Sequence, residues 1–290
     1  MEIRKIYRQD YKGTFLEILN EYKNVPEFIN FSGDILRFQR NEYKFLLVVG
    51  SRRHSKEAKL ILEKLFSGLK NQKIVIVSGL ARGIDSLAHE LAIKNNLPTI
   101  AIPGSGLNDE VLYPKANFGL AKDIVNKGGL LLSEFENNFQ ATPWSFPKRN
   151  ELMVKISDMV LVVEAGKKSG TLITARLSLD FNKDLAVVPG SILSDFYLGS
   201  NNLLKDGAFP ILDSNDILDL LAIDVVEQKV LEFNDLDEVE SLILKKIAEP
   251  KTKTEIAIET NLDLSKINIK LSSLEIKGYV ILRNGLIYKK

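Results

Sequence analysis

The sequence predicts an α/β fold: a mostly parallel sheet with helices on both faces, followed by a small C-terminal module. Three observations carry this. From residue 45 onward, short Val-, Ile- and Leu-rich runs alternate with helix-length amphipathic segments. Each run stops at a turn of small or polar residues. After about residue 237 the pattern changes to three amphipathic stretches and a hairpin.

Residues 1–44 form a short helical stretch, then Val25-Pro26 and a Ser32-Gly33-Asp34 turn, and are expected as an arm packed on the core. The main domain spans 45–212, with strands at Phe45–Val49, Lys73–Val77, Thr99–Ile102, Leu130–Leu132, Met159–Val163 and Leu185–Val188. Helices are expected at 55–70, 84–95, 116–127, 148–157, 170–181 and 200–207, with Gly68, Gly128 and Gly207 near their ends. Residues 213–237 are acidic and, from Ser214, contain no Gly or Pro, which reads as a helix plus linker. In 238–290, helices at Val239–Ala248, Thr254–Thr260 and Leu264–Ile276 precede two strands around Arg283-Asn284-Gly285, where Asn-Gly is a hairpin turn signal. That is a winged-helix plan, which serves either DNA or protein partners.

Composition limits the chemistry. The 290 residues contain no Cys and two His, so disulfides, thiolate nucleophiles and Cys- or His-rich metal centres are excluded, and neither metal nor cofactor is expected. Lys+Arg 39 against Asp+Glu 38 leaves a net charge of +1, so any anion site must be a local cluster of cations. The charged amino terminus lacks a signal-peptide core and no long apolar run follows, so a soluble, cytoplasmic protein is expected.

In an open parallel sheet, ligands bind beyond the carboxyl ends of the strands, so the turns after the six strands are expected to face one site. Gly50-Ser51-Arg52 combines close backbone approach, a helix start and a guanidinium able to hold a phosphate with two parallel hydrogen bonds. Ser78-Gly79-Leu80-Ala81-Arg82-Gly83 repeats this chemistry, and Asp85 and His89 follow at helical spacing, a pair that is more often structural. Gly104-Ser105-Gly106, with Lys115 and Asn117, supplies a third anion cradle. Trp144 and Phe146 with Lys148, Arg149 and Asn150 interleave rings and cations, as in proteins that stack unpaired bases while tracking the backbone. Lys168, Ser169, Gly170 and Thr171 open a helix with hydroxyls and main-chain N–H groups suited to a phosphate.

Taken together, VVGSRR (48–53), VSGLARGIDSLAH (77–89), GSGLNDEVLYPKAN (104–117), LLSEF (131–135), FPKRN (146–150), VVEAGKKSGTLITA (162–175), VVPGS (187–191) and GSNNLLKDGA (199–208) resemble the DNA-processing protein DprA family, also called Smf. The resemblance implies an extended Rossmann-type domain that binds single-stranded DNA, forms homodimers and loads RecA during natural transformation, without enzymatic activity. It makes Arg52 the leading backbone contact, surrounded by Arg82, Lys115, Lys148, Arg149, Asn150 and Lys168, with Phe146 as a stacking ring. Glu151 stands where the family usually carries another arginine, and an acid there is expected to weaken local attraction for phosphate. A competing reading is a nucleotide or ribosyl hydrolase using Glu134 or Glu164, both at strand ends. A third is a regulator acting on duplex DNA through the C-terminal module.

Overall fold

The computed structural model describes residues 1–223, 236–283 and 285–289. The chain divides into two compact units, Met1–Val225 and Val226–Lys290.

The first unit runs β1 (Arg4–Tyr7), β2 (Phe28–Ser32), β3 (Lys44–Val49), α1 (Lys56–Gly68), β4 (Ile74–Ser78), α2 (Ile84–Lys94), β5 (Thr99–Ala101), α3 (Phe118–Asn126), β6 (Leu130–Ser133), α4 (Ser145–Ile156), β7 (Met159–Val162), α5 (Thr171–Asp180), β8 (Asp184–Val187), α6 (Leu198–Lys205), β9 (Phe209–Pro210) and α7 (Ser214–Leu220). The nine strands lie in the order β1-β2-β6-β5-β4-β3-β7-β8-β9. All neighbours from β6 to β9 pair in parallel, whereas β1 with β2 and β2 with β6 are antiparallel. Parallel pairing puts the turns that follow β3 to β8 on one edge.

Strand β3 shows why the runs are apolar throughout. Phe45, Leu47 and Val49 enter one buried layer, and Leu46 and Val48 the other. The first layer is closed by α4, α5 and the N-terminal residues Tyr11, Phe15, Leu16 and Leu19. The second is closed by α1, α2 and α7.

The first 44 residues do more than pack on the core, because β1 and β2 extend the sheet. β1 reads RKIY, and its cations sit on an outer strand whose open edge they protect from further pairing. Such short, charged strands carry little of the apolar signal that marks the interior ones. The helix expected at 148–157 begins at Ser145, so Pro147 falls in its first turn, where no helical N–H bond is lost. That earlier start resets the helical phase of the FPKRN segment.

The second unit runs α8 (Glu238–Lys246), β10 (Lys251–Thr252), α9 (Lys253–Thr260), α10 (Leu264–Ile276), β11 (Val280–Arg283) and β12 (Leu286–Lys289). β12 pairs antiparallel with both β10 and β11. Its core joins Ile243, Leu244, Ile256, Ile267, Leu271 and Val280. Capping boxes start α8 (Asp237 with Glu240) and α9 (Thr252 with Glu255). Strand β10 was not foreseen. The expected linker begins with α7, while its residues 224–235, like Asn284 of the hairpin turn, lie outside the described residues.

Candidate nucleic-acid interface

β3 has β4, β5 and β6 on one side and β7, β8 and β9 on the other, so the order in which successive strands are added across the sheet reverses between β3 and β7 while all of them stay parallel. At such a point the loops beyond the strand ends diverge and leave a crevice. A cleft of about 900 Å³ lies there, lined by Gly50, Ser51 and Arg52 after β3, by Gly166 to Thr171 after β7, and by Phe146 and Asn150 of α4. A second hollow of about 510 Å³ shares Arg52 and Phe146 with it and adds Arg53, Arg82 and Tyr113. Arg52 bridges the two, its guanidinium carbon 5.3 Å from the centroid of the Phe146 ring.

The turn after β3 is braced on both sides. Its Ser51 N–H donates to the Glu164 carbonyl after β7 at 2.9 Å, and its Ser51 carbonyl accepts from Ile84 N–H of α2 at 3.0 Å. Gly83, at φ +85, is required for that second contact, since a Cβ there would lie 2.2 Å from the Ser51 carbonyl oxygen. The hydroxyl of Ser51 folds back on Arg53, donating to its carbonyl and accepting from its N–H. Arg52 is therefore presented to solvent from a fixed backbone, and it makes no salt bridge among the described residues.

Of the residues expected to touch DNA, the two hollows collect Gly50, Ser51, Arg52, Arg82, Phe146, Arg149, Asn150, Lys168, Ser169, Gly170 and Thr171. Lys167, Arg53, Tyr113, Ile173 and Phe196 also line them and were not among the expected DNA contacts. Lys167 and Arg53 adjoin residues that were, and cation doublets are their signal. Ile173 lies inside the 162–175 motif but is apolar and gave no anion-binding signal, and Phe196 is separated in sequence from every motif and gave none either.

Arg149 requires a correction. It is 4% exposed, donates through Nη1 to the Gly79 and Ile102 carbonyls and through Nε to Asn150 Oδ1, and sits against buried Asp85. Burial pulls its pKa down to about 10, which leaves it cationic at neutral pH. It pins the ends of β4 and β5 to α4, and with Nε and Nη1 committed to these bonds it serves first as a structural pin rather than as an exposed phosphate contact. Asn150 is likewise committed, accepting from Arg149 and donating to Thr174 Oγ1 at 3.0 Å. His89, expected to be structural, is buried against the Thr99 hydroxyl, and burial lowers its pKa to about 3.

The Gly104-Ser105-Gly106 cradle is also structural. All three residues are buried; Ser105 accepts from Tyr113 N–H at 3.1 Å, and Gly104 lies so close under Phe146 that a Cβ would be 2.7 Å from the ring. This turn supports the site's floor. Asn117 donates to the carbonyl of Leu80 at 2.8 Å, steadying a residue held at φ +58. Lys115 is exposed beside Tyr113 and Pro114 but lines neither hollow.

Lys148 faces away from the cleft, because two helix positions from Phe146 is about half a turn. Its Nζ lies 3.3 Å from Glu134 Oε2. Trp144 stands edge-on to Phe135 and Phe139, outside the cleft. Nor does Glu151 face it: the carboxylate pairs with buried Lys155, which also donates to the Asn24 carbonyl at 2.9 Å. In the first turn of α5, the N–H groups of Thr171, Leu172 and Ile173 bond to Ser169 Oγ and to the Ser169 and Gly170 carbonyls. A phosphate there would be held by the side chains of Lys167 and Lys168 more than by helix N–H groups.

Glu134 has 5% of its side chain exposed. Burial pushes its pKa from 4.5 up to about 7, against the pull of Lys148. The folded protein therefore holds a proton that the unfolded chain releases, and stability falls as pH rises from about 4.5 to about 7, by at most about 3 kcal/mol. Glu134→Gln is expected to flatten this dependence and to melt higher than the wild type at pH 8. Urea titrations of both proteins at pH 5 and pH 8 check this; parallel pH dependences would refute it.

Residues 6–222 match the family described as DNA recombination-mediator protein A. The chain is 38% identical over 202 residues to the DNA processing protein DprA of Streptococcus pneumoniae R6, covering 69% of this chain and 68% of that protein. It is 38% identical over 176 residues to protein Smf of Escherichia coli K12, covering 61% of this chain and 46% of that one. The X-ray structure of the S. pneumoniae protein matches with a TM-score of 0.68 at 34% identity, over 76% of this chain and 74% of that one. DNA processing protein A from Helicobacter pylori, whose structure is described for its single-stranded DNA binding mode, matches with a TM-score of 0.65 at 28% identity, over 77% of this chain and 96% of that one.

Proposed function

The chain belongs to the DNA recombination-mediator protein A family, and from that premise we propose that it binds single-stranded DNA in the cleft between β3 and β7. The strand's phosphates are held by Arg52, Lys167, Lys168 and, across the second hollow, Arg53 and Arg82. The observation that carries this reading is the position of Arg52. It is exposed and without a salt bridge among the described residues, on a braced turn, over an aromatic ring and at the mouth of both hollows. The relative from H. pylori, described for its single-stranded DNA binding mode, supports the same ligand.

We further propose that the protein acts by binding and handing over DNA, as a homodimer that loads RecA in the cytoplasm, and not by turnover. The two strand-end acids of the hydrolase reading support the last of these points alone. Glu164 is buried and accepts from Ser55 N–H at 3.0 Å, Glu134 pairs with Lys148, and neither lines the cleft. Among the described helices none is long and apolar enough to cross a membrane.

A competition titration tests the binding reading. Single-stranded DNA is expected to displace a labelled single strand at much lower concentration than a duplex of equal length. Log Kobs is expected to fall linearly with log salt, by about 0.7 for each phosphate neutralised. Equal competition by the duplex, or affinity insensitive to salt, would overturn it.

A further inference from the structure

The loop between β8 and α6 contributes to the cleft without contributing a cation. Residues 189–197 read PGSILSDFY, and the two that line the cleft are Asp195 and Phe196. Phe196 is 44% exposed and Ile173, which lines the same cleft from α5, is 47% exposed. Their loop leaves Ile192 and Leu193 still more open, at 83% and 93%. Large apolar groups on a water-filled cleft lose contact area that a flat apolar partner would restore.

Resting on the single-strand reading above, we propose that Phe196 and Ile173 form a base-binding wall that contacts unpaired nucleobases, in addition to the Arg52–Phe146 pair. The chemistry divides the strand's groups between the walls. Arg52, Lys167 and Lys168 attract phosphate, whereas Asp195 repels it and leaves the flat base as the part of a nucleotide that the exposed Phe196 ring is best suited to stack. Aromatic and apolar side chains offer a base a stacking surface of no fixed sequence preference. In a duplex the base faces are already stacked and paired, so this wall selects for single strands by a means independent of charge.

The test compares oligodeoxythymidine with an abasic oligomer of equal length, which carries the same phosphates and no bases. Wild type and Phe196→Ala/Ile173→Ala are titrated with both, with Arg52→Ala as the reference for phosphate contact. Both wall residues are exposed, and thermal melts confirm that the double variant is folded. The wall predicts that the double variant loses about tenfold in affinity for oligodeoxythymidine, keeps its affinity for the abasic strand, and keeps its salt slope. An unchanged ratio of the two affinities, with Arg52→Ala weakening both, overturns the wall while the single-strand reading stands. Failure of the wild type to bind either oligomer overturns that reading and the wall with it.

Discussion

Replacing Arg149 with alanine is expected to destabilise the first unit by about 3–5 kcal/mol, the usual cost of removing one partner from a buried charge pair. The change leaves buried Asp85 without its cation and takes a donor away from the Gly79 and Ile102 carbonyls. Gly79 shows how closely the groups are fitted, since a Cβ there would lie 2.1 Å from Arg149 Nη1 and 2.7 Å from Asp85 Oδ2. Lysine is not a substitute, because one ammonium cannot reproduce bonds made in three directions by a planar fork. In thermal unfolding the variant is expected to melt roughly 10 °C lower. Adding Asp85→Asn should recover part of the loss by removing the orphaned charge. A melting temperature within a degree or two of wild type would show that Arg149 is not the pin described.

The second large effect falls on binding. Arg52→Ala is expected to weaken single-strand binding about 10–100-fold at low salt, the range of a hydrogen bond to a charged group. Arg52→Glu is expected to weaken it further by placing an acid where phosphate passes. Both should reduce the salt slope by about one phosphate contact, because the lost cation no longer releases a counterion. Stability should change little, since Arg52 is exposed and braced through its backbone rather than its side chain. An unaltered slope in either variant would remove Arg52 from the interface. Arg149→Ala and Arg52→Ala thus separate two arginines that look alike in sequence: one costs stability, the other affinity.

The near-neutral charge acquires a spatial meaning from the same comparison. Arg149 faces Asp85, Lys148 pairs with Glu134, and Lys155 pairs with Glu151. Two cations of the FPKRN motif, and Lys155 beyond it, are thereby compensated by nearby acids. Arg52, Arg53, Arg82, Lys167 and Lys168 make no salt bridge among the described residues, and all line the two hollows. A chain with a net charge of +1 can therefore hold a cationic track without coating its whole surface in positive charge.

The interior strands, the turns along one sheet edge and the family resemblance were legible from residue order alone. These features are local: strands buried on both faces must be apolar throughout, and turns must carry glycine or polar residues wherever the backbone reverses. The outer strands β1 and β2 were not legible: β1 is a short charged edge strand with little apolar signal, and β2, though apolar and buried, is a five-residue run outside the alternation of strands and helices. The roles of individual site residues also needed three dimensions. Contiguity placed Lys148 and Arg149 together, but helix phase turns Lys148 out to Glu134 and packing carries Arg149 inward to Asp85. Phe196 and Ile173 meet at the cleft only because β7 and β8 are neighbours in the sheet. Sequence by itself determined the fold class, the family and the glycine-bearing turns that share one sheet edge. Tertiary structure alone decided which cations face solvent and which are pins, because that depends on what each side chain meets across the fold.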